Sequence, residues 1–241
     1  MLGRNEFVSK INDITERMNC TGCAACANVC GKAAISMKED VEGFYYPQID
    51  AEKCVSCGLC VKICPSNHDI ESYSAHFHMG WHRDGDVVKN SSSGGAFTAL
   101  CEYTFEKHGV VFGVTKDPET WEVKHKMAYD LDGIREMRGS KYYQSNPGTV
   151  YRQVKALLKN KVFVLFTGTA CQIAALYSVI GEENLEFLLT VDVLCHGCTS
   201  GKVVKCYIED QERKYRKKVR DFKFRTKDVP WQAGGGYTDE T

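Results

Sequence analysis

The 241 residues include 31 Lys and Arg against 31 Asp and Glu, so the overall charge gives no footing for nucleic acid. The length suits a small module plus one ordinary domain. Residues 1–10 lack the basic start and apolar run of a secretory signal, so thirteen cysteines point to thiolate ligands in a reducing, anaerobic cytoplasm rather than to disulfides.

Eight of those cysteines form two copies of one phrase. Cys20, Cys23, Cys26 and Cys30 are spaced C-x2-C-x2-C-x3-C, and Cys54, Cys57, Cys60 and Cys64 repeat the spacing. This is the run of bacterial two-cluster ferredoxins, in which the fourth cysteine of each copy ligates the other cluster. The expected assignment is crossed: Cys20, Cys23, Cys26 and Cys64 on one [4Fe–4S] cluster, Cys54, Cys57, Cys60 and Cys30 on the second. A structural zinc site would pair separated C-x2-C knuckles instead. Gly22, Gly31 and Gly58 suit the ligand loops if they adopt positive φ. Pro65 follows the second run as the motif predicts, and Gly31 stands where the first would carry proline.

Residues 1–70 are expected to form this α+β ferredoxin-like module, with strands at 34–37 and 45–49 joined by a turn around Asp40–Gly43. It has little apolar material, so metal ligation must supply much of its stability. From about residue 72 the pattern alternates between strands and helices, which predicts an α/β domain over 71–241. Expected strands are 77–83, 110–115, 122–129, 162–166, 187–194 and 219–225. Expected helices are 95–107 (closed by Gly109), 131–137, 149–159, 171–180 (ending at Gly181) and 202–217. Residues 162–181 carry no charge but contain Thr167, Gly168, Thr169, Gln172 and Ser178, and divide into a strand, a Gly168–Thr169 turn and a helix rather than a membrane span. The basic run 213–227 reads as a solvated helix face and edge strand, or as a docking patch for an acidic electron carrier.

Three segments place small, polar or sulfur-bearing residues where a strand meets a helix. Ser91, Ser92, Ser93, Gly94 and Gly95 precede a helix and would seat a phosphate, or simply supply a serine N-cap. Gly168, Thr169, Ala170, Cys171 and Gln172 follow a buried strand and open a helix, at the strand end where ligands gather in open α/β sheets. Cys195, His196, Gly197 and Cys198 end the next strand and are expected to face the same crevice. Cys101 and Cys206 read as ordinary core or surface thiols.

Together with Arg138-Gly139-Ser140-Lys141-Tyr142, these motifs occur in an order that resembles the beta-subunit family of coenzyme F-420 (deazaflavin) hydrogenases and dehydrogenases. The resemblance covers nearly the whole chain. It implies an iron–sulfur flavoprotein oxidoreductase, in which a flavin-type α/β domain passes electrons between the [4Fe–4S] clusters and a redox partner protein or small carrier. FAD contacts would come from Ser92, Ser93, Gly94, Gly95, Ser140, Lys141, Tyr142, Gly168, Thr169 and Gln172. It also implies an additional cluster at Cys171 and Cys195. The family completes that cluster with a later cysteine pair; no cysteine follows Cys206 here, so Cys198 would supply only a third thiolate and the chain reads as C-terminally truncated. No general acid or base stands out, and His196 is a candidate by position alone. The competing expectations are a non-catalytic electron-transfer subunit and a cluster-based redox sensor.

Overall fold

The computed structural model describes residues 14–68, 76–182, 184–225, 227 and 236–239. The expected border near residue 70, the first ten residues and Gly234–Gly235 lie outside the described residues.

The amino-terminal unit contains two short helices, α1 (Ala25–Val29) and α2 (Leu59–Lys62), and an antiparallel hairpin of β1 (Ile35–Glu39) and β2 (Tyr45–Ile49). The cysteine repeat is also a repeat of backbone conformation. Gly22 and Ala24 adopt φ of 67° and 64° before α1, and Ser56 and Gly58 adopt 52° and 70° before α2. Each loop thus places one glycine and one strained residue in the left-handed region, at exchanged positions. Gly31 does not share this conformation, contrary to the sequence expectation; its site is open and its φ ordinary. The unit's core joins Ile14, Cys26, Ile49 and Cys64, with Ile35, Met37, Cys54 and Cys60 packed against them. Half of that core is cysteine.

The second unit is built on a mixed four-stranded sheet of order β4-β3-β5-β6. β3 (Val110–Lys116) pairs antiparallel with β4 (Val123–Ala128) and parallel with β5 (Val164–Thr169), which pairs parallel with β6 (Leu188–Val193). Central strands covered on both faces need near-continuous apolar runs, which Val110–Phe112 and Val164–Phe166 supply. On one face α5 (Val150–Lys159) and α6 (Ala170–Ile180) cover Val110, Phe112, Val164 and Phe166. On the other, α4 (Ala96–Glu106), Ile134 and Met137 cover Val111 and Leu165. A third cluster of Trp121, Val123, Tyr143, Val204, Ile208 and Val219 seats α7 (Gly201–Tyr215) and β7 (Val219–Lys223). A strand the sequence did not announce, β8 (Gly236–Asp239), pairs antiparallel with β7.

Several local expectations are corrected. Residues 77–83 form no strand: Phe77, Met79 and Trp81 are exposed, and the short helix α3 (Gly85–Lys89) follows, capped by Asp84. Alternation alone does not make a strand without a neighbour to pair with. The helix expected at 131–137 shrinks to a 3-10 turn, Arg135–Met137. Gly168 and Thr169 form the end of β5 rather than a turn, and Thr169 caps α6 reciprocally with Gln172. After α4 it is His108, at φ 53°, that turns left-handed, while Gly109 is small because a Cβ there would lie 2.5 Å from the Phe163 carbonyl oxygen. Gly95 rather than a serine sits at the N-cap of α4. Among the described residues no helix is long and apolar enough to cross a membrane.

Candidate redox site at the seam between module and sheet

Cys20, Cys23, Cys26 and Cys64 line one small cavity together with Gly22, Ala24, Ala25, Met37 and Pro47. The fourth cysteine of the second run thus meets three of the first. Burial raises the Cys20 thiol, pushes Cys23 up to about 11 and raises Cys26 further, and neighbouring cysteines add to each shift. Such thiols resist ionising unless a cation compensates them. In the second set Cys54 and Cys57 stand near Cys60, whose thiol is also raised, chiefly by burial. Cys30 accepts a bond from the Ala34 amide at 3.4 Å. Among the described residues no three His, Cys, Asp or Glu side chains converge closely enough for one metal ion. Buried thiols around a common cavity and the repeated left-handed loops fit iron–sulfur clusters.

Across the seam, Tyr151 of α5 donates its hydroxyl hydrogen bond to the Cys23 carbonyl at 2.9 Å and packs on Phe166, with ring centroids 5.7 Å apart. Both Cys23 and Cys171 lie near enough to raise the Tyr151 hydroxyl further, after burial. Cys171, in the first turn of α6, is 3.1 Å from the Thr169 hydroxyl. Cys198 has a raised thiol, mainly through desolvation, and the neighbouring Cys195 and Cys171 raise it further. Cys171 follows the end of β5, and Cys195 and Cys198 follow the end of β6, so the three lie at the carboxyl ends of neighbouring parallel strands. His196 is exposed there.

The other expected site residues divide. β3, β5 and β6 finish at one end of the sheet, and α4, which leads into β3, begins there. Ser92 accepts a bond from the Ser140 amide at 3.0 Å, which ties the serine–glycine loop to the 138–142 motif. Thr98 Oγ1 and Arg138 Nε nearby are buried without a partner, and Gly139, at φ 81°, faces open space. These features fit an anionic ligand. Others are engaged internally. A Cβ on Gly94 would lie 2.8 Å from the Gly80 carbonyl oxygen, so close packing explains that glycine, and Gly95 is left-handed at φ 86° with the His82 Cβ 3.0 Å from where its own would lie. Lys141 Nζ donates to the carbonyls of Glu136, Met137, Arg138 and Gly139 at 2.9–3.3 Å, and burial lowers its pKa to about 8. Gln172 is buried, with its amide held by Thr169 N and the Ser145 hydroxyl. Ser93 accepts from Lys227 at 2.8 Å, and the Tyr142 hydroxyl from Arg225 at 3.5 Å. The fit to a flavin is partial.

Sequence reasoning missed the residues that join the two units. Gln144 accepts from the Tyr45 amide at 2.7 Å and donates to the Thr21 carbonyl at 3.3 Å. Asn28 donates to the Gly148 carbonyl, Ser200 to Glu42 and Lys202 to Val41. None lies in a recognisable motif, since each acts on a backbone carbonyl that only the fold brings near. His125 was missed too. It is stacked on Phe166 at 5.2 Å and bonded to the Thr167 carbonyl, and burial drops its pKa to about 4.

A two-run cysteine module docked on a mixed α/β sheet defines an iron–sulfur electron-transfer protein of the oxidoreductase type. Known proteins narrow that class to a family. A 4Fe-4S dicluster domain matches residues 19–68, and the coenzyme F420 hydrogenase/dehydrogenase beta subunit N-terminal domain matches 77–150. The chain thus carries a 4Fe-4S dicluster domain followed by a domain of that beta-subunit N-terminal type, and residues 151–241 lie beyond both matches. A subunit of the F(420)H(2) dehydrogenase of Methanosarcina mazei is 23% identical over 196 residues, covering 77% of this chain and 56% of the relative. An uncharacterized ferredoxin of Methanocaldococcus jannaschii is 39% identical over 54 residues, covering 22% of this chain and 69% of the ferredoxin. A chain of the F420-reducing [NiFe] hydrogenase complex from Methanosarcina barkeri matches with a TM-score of 0.48 and 21% identity, over 66% of this chain and 58% of that one. The chain spans about half the length of the first of these relatives.

Proposed function

We propose that this chain relays electrons between two [4Fe–4S] clusters and a flavin-type ligand, FAD by the family resemblance, seated at the carboxyl end of the sheet, in exchange with a redox partner protein or small carrier of the cytoplasm. The observation that carries the reading is the shared seam, where Cys23 of the first cysteine run, Tyr151 and Cys171 of the strand-end site lie side by side. When bound, the clusters supply one-electron steps and a flavin splits two-electron chemistry into them. Residues 14–68 hold the thiolates, Tyr151 and Phe166 keep water from the seam, and Ser92, Ser140 and Arg138 present donors to an anionic ligand. Cys171, Cys195 and Cys198 offer three thiolates, one short of a complete further cluster.

Gly94, Gly95, Lys141 and Gln172 are engaged within the chain, which favours a second reading: a flavin-free relay that hands electrons to a partner. Anaerobic preparation followed by iron, sulfide and flavin quantitation separates the two. About eight irons, four per cluster, with one flavin supports the first reading. The same iron without flavin supports the second, and zinc or no metal refutes both.

A further inference from the structure

The two cysteine runs repeat one another, but the sheet domain treats them differently. The second run meets it through apolar contact at Ile63. The first is gripped by hydrogen bonds from consecutive residues of α5. Tyr151 donates to the Cys23 carbonyl at 2.9 Å. Arg152 Nε donates to the Asn28 carbonyl at 2.5 Å, and its Nη2 donates to the carbonyls of Ala27 and Cys30 at 2.8 Å each. Asn28 anchors the same stretch to Gly148 at 2.7 Å, and Ala25 is inserted into the sheet domain's core.

Under the crossed assignment Cys23 and Cys30 serve different clusters, so neighbouring side chains reach one ligand of each. They differ in charge: Tyr151 is neutral, whereas Arg152 brings a full positive charge held by three carbonyls. We propose that Tyr151 and Arg152 are positioning residues that make the two clusters unequal, with Arg152 raising the reduction potential of the cluster that Cys30 ligates. The inference rests on the two-cluster reading above. One-electron reduction adds one negative charge and moves no proton. A guanidinium fixed at the Cys30 carbonyl favours the reduced state through its charge, and a neutral phenol does not. Arg152 would thus favour reduction of the cluster that Cys54, Cys57, Cys60 and Cys30 would hold, relative to the one beside the neutral Tyr151.

The test is a redox titration of the anaerobically prepared full chain, followed by electron paramagnetic resonance, with iron content measured alongside. In Arg152→Gln one of the two midpoints moves to more negative potential by about tenfold in its equilibrium, which is 59 mV for a one-electron couple. The other midpoint moves less than threefold. Arg152→Lys, which keeps the charge, recovers most of the shift. Tyr151→Phe alters the spectrum of the other cluster and leaves the Arg152-sensitive midpoint in place. Full iron with neither midpoint moved, or with both moved equally, overturns the proposal. So does lost iron with unchanged potentials in the loaded fraction, which would make Arg152 a clamp and nothing more. A parent chain that binds no iron refutes the relay reading itself, and that is measured first.

Discussion

Gly22→Ala tests whether the ligand loop and the sheet domain are fitted to each other. Gly22 has φ 67°, and a Cβ there would press on the Gln144 amide nitrogen and lie 2.5 Å from the Tyr45 carbonyl oxygen. A left-handed alanine costs about 1 kcal/mol. Displacing Gln144 removes its bonds to Tyr45 and Thr21, each contributing about 1 kcal/mol, so the total is about 3 kcal/mol. Gly58 has nearly the same φ, 70°, but a Cβ there meets nothing within 4 Å. Gly58→Ala should therefore cost only the strain, about 1 kcal/mol. The assay is urea unfolding of the anaerobically loaded chain, followed by the visible absorbance of the clusters. With a slope of about 2 kcal/mol/M, the Gly22 variant should lose its clusters about 1 M earlier than the Gly58 variant. Equal midpoints for the two variants would refute the argument, because strain alone would then account for both.

Phe166→Ala should destabilise by about 4 kcal/mol, since Phe166 is fully buried among Phe112, Tyr151 and His125; calorimetry checks this, and a loss under 1 kcal/mol would contradict that packing. His125 has its folded pKa lowered from 6.5 to about 4, so the unfolded chain binds the extra proton between those values and stability falls as pH drops through that window, by about 3 kcal/mol in all. His125→Phe should flatten that part of the stability–pH profile, and an unchanged slope would assign it to other groups. Chelating the iron should release amide protection in β1 and β2 while β3 and β5 remain protected, because half of the module's core is cysteine and the sheet's core is not. Hydrogen exchange reads this directly, and simultaneous loss in both units would show that they fold as one. Ser92→Ala should weaken binding of an added flavin at least fivefold without changing iron content, by removing the acceptor that ties Ser140 in place.

What the sequence revealed depended on how local each signal was. The cysteine spacing is local and specific, and the meeting of Cys64 with Cys20, Cys23 and Cys26 follows its logic. The apolar runs of β3 and β5 are equally local, and their elements lie within a few residues of expectation. The stretch 77–83 misled because alternation resembles a strand whether or not a partner is present. Gly94 and Gly95 misled for a related reason. Close packing of Gly94 against Gly80 and a left-handed helix cap at Gly95 need glycine just as a phosphate cradle does, and only the fold tells them apart. Tyr151 and Arg152 were invisible because their partners are carbonyls more than a hundred residues away, which leave no mark in side-chain pattern.

The same carbonyl-directed bonds have a consequence for how such proteins are assembled. Tyr151, Arg152, Gln144, Ser200 and Lys202 recognise a main-chain contour, so the amino-terminal unit can change its surface residues without loosening its grip on the sheet. Any ferredoxin-sized graft with the same trace from Thr21 to Glu42 would find its donors already waiting.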